Sequence, residues 1–194
     1  MDRKTEITLI EEAKTNPAAF GKVFELYHPK IFRYAARITS NADVAADIAA
    51  EVFYKALKAL PGYKQGAAPF SAWLYRIATN ECNTYFRKGR YAPASFDAAV
   101  ETGIISFPAS DSDIEKEMEE AQAVLDNDAD YKRAVGLMAG LKHVYREALV
   151  LRFMEGKKTR EIAHILGKKE GTVKSLISRG ISIIKRNQKK GAAL

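Results

Sequence analysis

An all-α protein is what this sequence predicts: two small helical domains joined by an acidic, flexible linker, the second ending in a helix-turn-helix. Three observations carry that expectation. Apolar residues recur at spacings of three and four in both halves of the 194-residue chain, and no stretch of useful length alternates as a strand would. Charge is segregated into blocks: residues 1–90 hold 14 basic and 9 acidic side chains, residues 91–130 one basic (Lys116) and 11 acidic, and residues 131–194 16 basic and 4 acidic. The last block contains Lys158-Thr159-Arg160-Glu161-Ile162-Ala163-His164-Ile165-Leu166-Gly167, then Gly171-Thr172-Val173-Lys174-Ser175-Leu176-Ile177-Ser178-Arg179, which reads as helix, tight turn and helix.

Taken in order, Asn16-Pro17 caps a first helix with Phe20, Val23, Phe24 and Tyr27 on one face. Ile31, Tyr34, Ala35 and Ile38 mark a second. Asn41 can cap a third, alanine-rich helix that runs to Leu60 and stops at Pro61-Gly62. Phe70, Leu74, Ile77, Ala78, Glu81 and Tyr85 lie along one side of a fourth, a stripe that Glu81 spoils. Residues 91–110 carry Pro93 and Pro108 and little periodicity, so they read as linker. Helical spacing returns at Ile114, Met118, Ala121 and Leu125 on a very acidic background. Helices over Tyr131–Leu141 and Val144–Phe153 then lead into the helix-turn-helix. The domains are expected at 1–90 and 131–194, with the acidic bridge at 91–130.

Composition narrows the function. With 47% hydrophobic and 28% charged residues the chain reads as soluble, and no apolar run approaches the roughly 20 residues of a membrane span. The N-terminus has no signal-peptide core, and the single cysteine, Cys82, fits a reducing cytoplasm and a place in the core. Two basic blocks separated by an acidic one imply two modules that approach a polyanion. Enzymatic constellations are missing: His28, His143 and His164 are scattered, and His143 with Glu147 supplies too few ligands for a metal. No phosphate-cradling loop is present either, so neither catalytic residues nor a cofactor or metal is expected.

Two surfaces fit nucleic acid. In the helix-turn-helix the second helix would enter the major groove, with Ile162, Ala163, Ile165, Leu166, Val173, Leu176 and Ile177 buried. Thr172, Lys174, Ser175 and Arg179, with Arg160 on the first helix, remain to meet bases or phosphates. On the fourth helix of the first block, Trp73, Arg76, Asn80, Thr84 and Arg87 follow at spacings of three and four, and Lys88 and Arg90 extend the basic end. The loop before it, Tyr63-Lys64-Gln65-Gly66-Ala67-Ala68-Pro69, adds an aromatic and a cation. Bases stack on rings while cations track phosphates, which is how single strands are held.

At these residues the chain resembles the small two-domain alternative sigma factors of bacteria, the extracytoplasmic-function type, over about residues 16–90 and 131–186. The matching residues are Phe24-Glu25-Leu26-Tyr27, Asp47-Ile48 with Glu51-Val52-Phe53, and Phe70 to Asn80, then Arg146-Glu147-Ala148-Leu149, Glu161-Ile162-Ala163 and Gly171 to Ser175. The resemblance implies a cytoplasmic protein that binds core RNA polymerase and directs it to promoter DNA. It implies that Tyr63 and Lys64 capture a flipped minus-ten base beside Trp73, Arg76, Asn80, Arg87, Lys88 and Arg90. It further implies that Lys174, Ser175 and Arg179 read the minus-thirty-five duplex, where Arg160 and Thr172 are the neighbouring candidates. The acidic helix with Asp43, Asp47 and Glu51 would dock on polymerase, and an anti-sigma factor is expected by analogy. Promoter elements two duplex turns apart lie on the order of 70 Å apart, within the ~130 Å reach of a 40-residue bridge.

Departures from the family pattern carry expectations of their own. Ala46 and Ala50 stand where relatives often have Glu and Gln. Leu176 and Ile181 replace basic residues and should thin the phosphate grip, and Gly180 should weaken its helix by roughly 0.5–1 kcal/mol relative to alanine. The alternative reading is a two-domain helix-turn-helix regulator that binds operator DNA independently of polymerase.

Overall fold

A computed structural model describes residues 2–66, 68–89, 136–138 and 140–191. The linker expected at 91–130, the acidic helix within it and the start of the helix expected from Tyr131 lie outside the described residues. The chain divides at residue 90 into two compact units. Among the described residues both units are helical, with no strand.

The first unit opens with a helix that the periodicity did not announce, α1 (Arg3–Ala13). Asp2 caps it by accepting the Thr5 N–H at 2.8 Å, and that bond holds its carboxyl below the usual range. Only Ile10 and Ala13 of α1 are buried, so its apolar stripe is short. The two helices expected over 17–38 are one, α2 (Pro17–Thr39), which runs through Pro29. Proline removes a donor from the ladder and costs an interior helix about 3 kcal/mol. The stripe Ala19, Val23, Tyr27, Ile31, Tyr34, Ala35 and Ile38, buried on both sides of Pro29, offsets that cost. Ser40 ends α2 in the left-handed region (φ 56°), and Asn41 caps α3 (Ala42–Ala59) by accepting the Val44 N–H.

Beyond α3 a single 3₁₀ turn, Leu60–Gly62, anchors on buried Leu60 and delivers Tyr63, whose N–H bonds the Leu60 carbonyl at 3.0 Å. Helix α4 (Phe70–Gly89) packs against both α2 and α3. Its buried side is therefore wider than the expected stripe, and displaced from it. Phe70, Leu74, Tyr75, Ala78, Thr79 and Cys82 are buried, Ile77 and Glu81 stand at the margin, and Tyr85 is exposed. Thr79 is satisfied by a buried hydrogen bond with the Tyr34 hydroxyl at 2.8 Å. Glu81 accepts from Lys55 of α3 at 2.7 Å, so it ties two helices together where the pattern suggested a flaw.

In the second unit α5 (His143–Leu149) continues as a π-helical turn, Val150–Met154, before α6 (Thr159–Leu166) and α7 (Glu170–Gly191). Gly156 and Gly167 take left-handed backbone (φ 63° and 65°) at the two corners, a region that costs glycine nothing. The Glu161 carboxylate accepts the Lys158 N–H at 3.0 Å and so closes the start of α6. Leu176 and Ile181, expected to thin the grip on phosphate, are both buried and belong to the core. Gly180 is more than a weak point in α7. A Cβ there would lie 2.8 Å from Leu149 Cδ1, so its absence lets α7 approach α5 closely.

Candidate nucleic-acid interface

In the first unit the 3₁₀ turn and the start of α4 bring Tyr63 and Trp73 together. Their ring centroids lie 4.9 Å apart at a 42° tilt, and Phe70 backs both at 5.2 and 5.3 Å. Tyr63 and Trp73 are each half-buried while Phe70 behind them is fully buried, so the pair rests on protein and keeps part of its surface exposed. The Tyr63 hydroxyl donates to Gln65 Oε1 at 3.1 Å, and Gln65 Nε2 reaches the Ala68 carbonyl at 3.5 Å. Burial first, then the charges of Glu6 and Glu11, hold the Tyr63 phenol above its ordinary range.

Lys64 is exposed beside this platform, and Arg76, Asn80, Arg87 and Lys88 are exposed along α4. Arg87 is steadied by donating to Thr84 Oγ1 at 3.3 Å. Arg90 lies outside the described residues. Sequence reasoning named the aromatics and cations but missed Gln65, whose link to Tyr63 two residues away was a local signal that could have been found.

In the second unit the predicted reading residues share the polar arc of α7. Thr172, Ser175 and Arg179 follow at three and four, while Lys174 and Ser178 form the other flank. All five are half-buried, since Val173, Leu176, Ile177 and Ile181 between them are in the core. Ser175 Oγ donates to the Gly171 carbonyl at 3.0 Å, which holds the side chain against the start of the helix. Arg160 is exposed in the first turn of α6.

On α5 sits an arginine with another task. Arg146, buried on α5, donates Nε to the Met138 carbonyl at 3.0 Å and Nη2 to the Leu141 carbonyl at 3.1 Å. It thereby ties the chain before α5 to the body of the unit, and its burial alone lowers its pKa.

On α3, Asp43, Ala46, Asp47 and Ala50 are all exposed. Glu51, its side chain 45% exposed, is paired with Lys55 at 3.2 Å. The same face continues into Tyr54 and Leu57, 53% and 48% exposed, which charge-based reasoning overlooked. Among the described residues no cluster of His, Cys, Asp and Glu could hold a metal, and no helix is long and apolar enough to cross a membrane.

Two helical units, one with an aromatic and cationic platform and one with a helix-turn-helix, define a class of DNA-binding protein. Residues 23–91 match the family model for Sigma-70 region 2, and residues 132–182 that for Sigma-70, region 4. The chain is 27% identical over 186 residues to the ECF RNA polymerase sigma factor BldN of Streptomyces coelicolor, covering 95% of this chain and 66% of BldN. It is 29% identical over 180 residues to the ECF RNA polymerase sigma-E factor of Escherichia coli K12, covering 92% and 91%. Its fold matches that of the sigma factor RpoE from Bartonella quintana, solved with the anti-sigma factor NepR, with a TM-score of 0.56 at 21% identity over 88% and 96% of the two chains. This chain belongs to the sigma-70 family, in its extracytoplasmic-function group.

Proposed function

We propose that this chain binds core RNA polymerase and directs it to promoters whose two elements it reads with its two units. The observation that carries the reading is the order of the matches, region 2 and then region 4, in a chain aligned over 92% of its length with a sigma-E factor. In the first unit Tyr63 and Trp73 stack an unpaired minus-ten base, with Lys64, Arg76, Asn80, Arg87, Lys88 and Arg90 along the strand. Extruding a base costs a few kcal/mol, and a platform already backed by Phe70 offsets that without reordering. In the second unit Thr172, Lys174, Ser175 and Arg179, with Arg160, meet the minus-thirty-five duplex.

Polymerase docks on the α3 face. Asp43 and Asp47 orient the encounter, and exposed Tyr54 and Leu57 supply apolar contact, the division of labour expected of charged rims and buried anchors. Glu51, paired with Lys55, sits at the margin of that face. The chain contributes binding and no catalytic step of its own, and it acts in the cytoplasm with the transcription machinery. An anti-sigma factor, the kind of partner solved with RpoE, is its natural antagonist.

Affinity-tagged chain expressed in its own cells should co-purify with the core polymerase subunits. Recovery without them, together with protection of a palindromic operator by the chain alone, would establish the independent regulator instead.

A further inference from the structure

Helix α1 has no part in the reading above, yet it is joined to the aromatic platform by a continuous set of contacts. The Tyr27 hydroxyl, from the buried face of α2, donates to the Glu6 carboxylate of α1. The Tyr27 ring meets the Phe70 ring edge-on at 5.6 Å, Phe70 meets Tyr63 at 5.2 Å, and Tyr63 meets Trp73 at 4.9 Å. A buried phenol needs a partner for its hydroxyl, so Glu6 fixes where the Tyr27 ring can lie. Each following ring leans on the one before, and packed interiors pass on displacements because they have little free volume.

We propose that Glu6 is a positioning residue for the single-strand platform: by accepting the Tyr27 hydroxyl it sets, through Phe70, the tilt and exposure of Tyr63 and Trp73. The inference rests on the reading of those two rings as the base-stacking pair. Glu6 and Glu11 also raise the Tyr63 phenol through their charge, which places α1 within electrostatic reach of the loop. A helix that buries only Ile10 and Ala13 is otherwise weakly held, so this hydrogen bond bears unusually on where α1 sits.

Trp73 is the only tryptophan in the chain, so its emission reports on the platform alone. In the full-length protein, Glu6→Ala and Tyr27→Phe should each move that emission to longer wavelength. Each should weaken the binding of a randomised single-stranded DNA oligonucleotide by the reconstituted holoenzyme by about three- to tenfold. Combined, they should lose little more than either alone, because both remove one contact. Glu6→Gln keeps an oxygen acceptor and should return emission and affinity to within about twofold of the parent. Thr8→Ala, an exposed change on the same helix, should alter neither.

Lower melting temperatures for Glu6→Ala and Tyr27→Phe with unchanged emission and affinity would overturn the proposal, as would Glu6→Gln behaving like Glu6→Ala. Emission is read without DNA, so the two claims fail separately. A parent holoenzyme that ignores single strands while emission shifts as expected would remove the stacking function and leave the coupling standing.

Discussion

The two units present their candidate DNA-facing residues by opposite means. In the second, local backbone geometry is enough: a left-handed Gly167 turns α6 into α7, and the reading residues stand on the polar arc of a regular helix. In the first, Tyr63 stands on a loop between helices, and its place is set by Phe70 and Trp73 and, behind them, by Tyr27 and α1. A rigid helix suits a duplex groove of fixed shape. A ring platform held by tertiary contacts suits a strand that must first be opened.

Salt should separate the two most strongly. Lys169, Lys185 and Arg186 are exposed on the second unit; if they meet phosphates, duplex affinity should fall with a log–log slope near −0.9 per phosphate contacted. Several contacts together amount to orders of magnitude between ~50 and ~200 mM salt. Capture of a single strand by the first unit, where stacking contributes, should fall less steeply. Equal slopes for the two substrates would break the comparison.

Next in size is Arg146→Ala, which strands the Leu141 carbonyl, leaves the Met138 carbonyl only the Leu141 N–H, and opens a cavity. It should destabilise the second unit by about 3 kcal/mol. Melting followed by circular dichroism should show that loss while the Trp73 emission transition stays in place. Tyr63→Ala should then cost about 1–3 kcal/mol of single-strand affinity in holoenzyme, the usual worth of a stacked base. Duplex binding should be unchanged, and equal losses on both substrates would instead give Tyr63 a folding role.

The smallest effects belong to the α3 face. Asp47→Ala should lower core polymerase affinity by about 1 kcal/mol at unchanged melting temperature, while Ala50→Gln leaves it equal or slightly tighter, within about 0.5 kcal/mol. Unchanged affinity for Asp47→Ala would remove this face from the interface.

The contrast between the units also explains what could be read from the sequence. Ile162, Ala163, Ile165, Val173, Leu176 and Ile177 follow helical spacing and are buried as expected, because local periodicity and the Gly167 turn suffice there, whereas Leu166 at the turn is only half-buried. Elsewhere the decisive contacts join distant residues. The apolar stripes on either side of Pro29 read as two helices, and their burial along one face makes them a single α2. Glu81 looked misplaced until Lys55, 26 residues away, supplied its partner. Ile181 was judged only against a family pattern of charge, whereas its position on the buried arc of α7, which periodicity had already given for Leu176, decides what it does. In α1 the Asp2 cap and the pair Ile7 and Ile10 were local signals available in the sequence, but its link to Tyr27 was not. Trp73 was assigned by residue type, while its tilt against Tyr63 is a tertiary property.

Transcription in a purified system tests the central claim most directly. Core polymerase should be supplied with genomic DNA, with and without this chain, and the 5′ ends of the transcripts sequenced. The chain should create new, discrete start sites preceded by two shared sequence elements. Tyr63→Ala should remove initiation at those sites, as should Arg179→Ala. Identical 5′ ends with and without the chain would contradict the account.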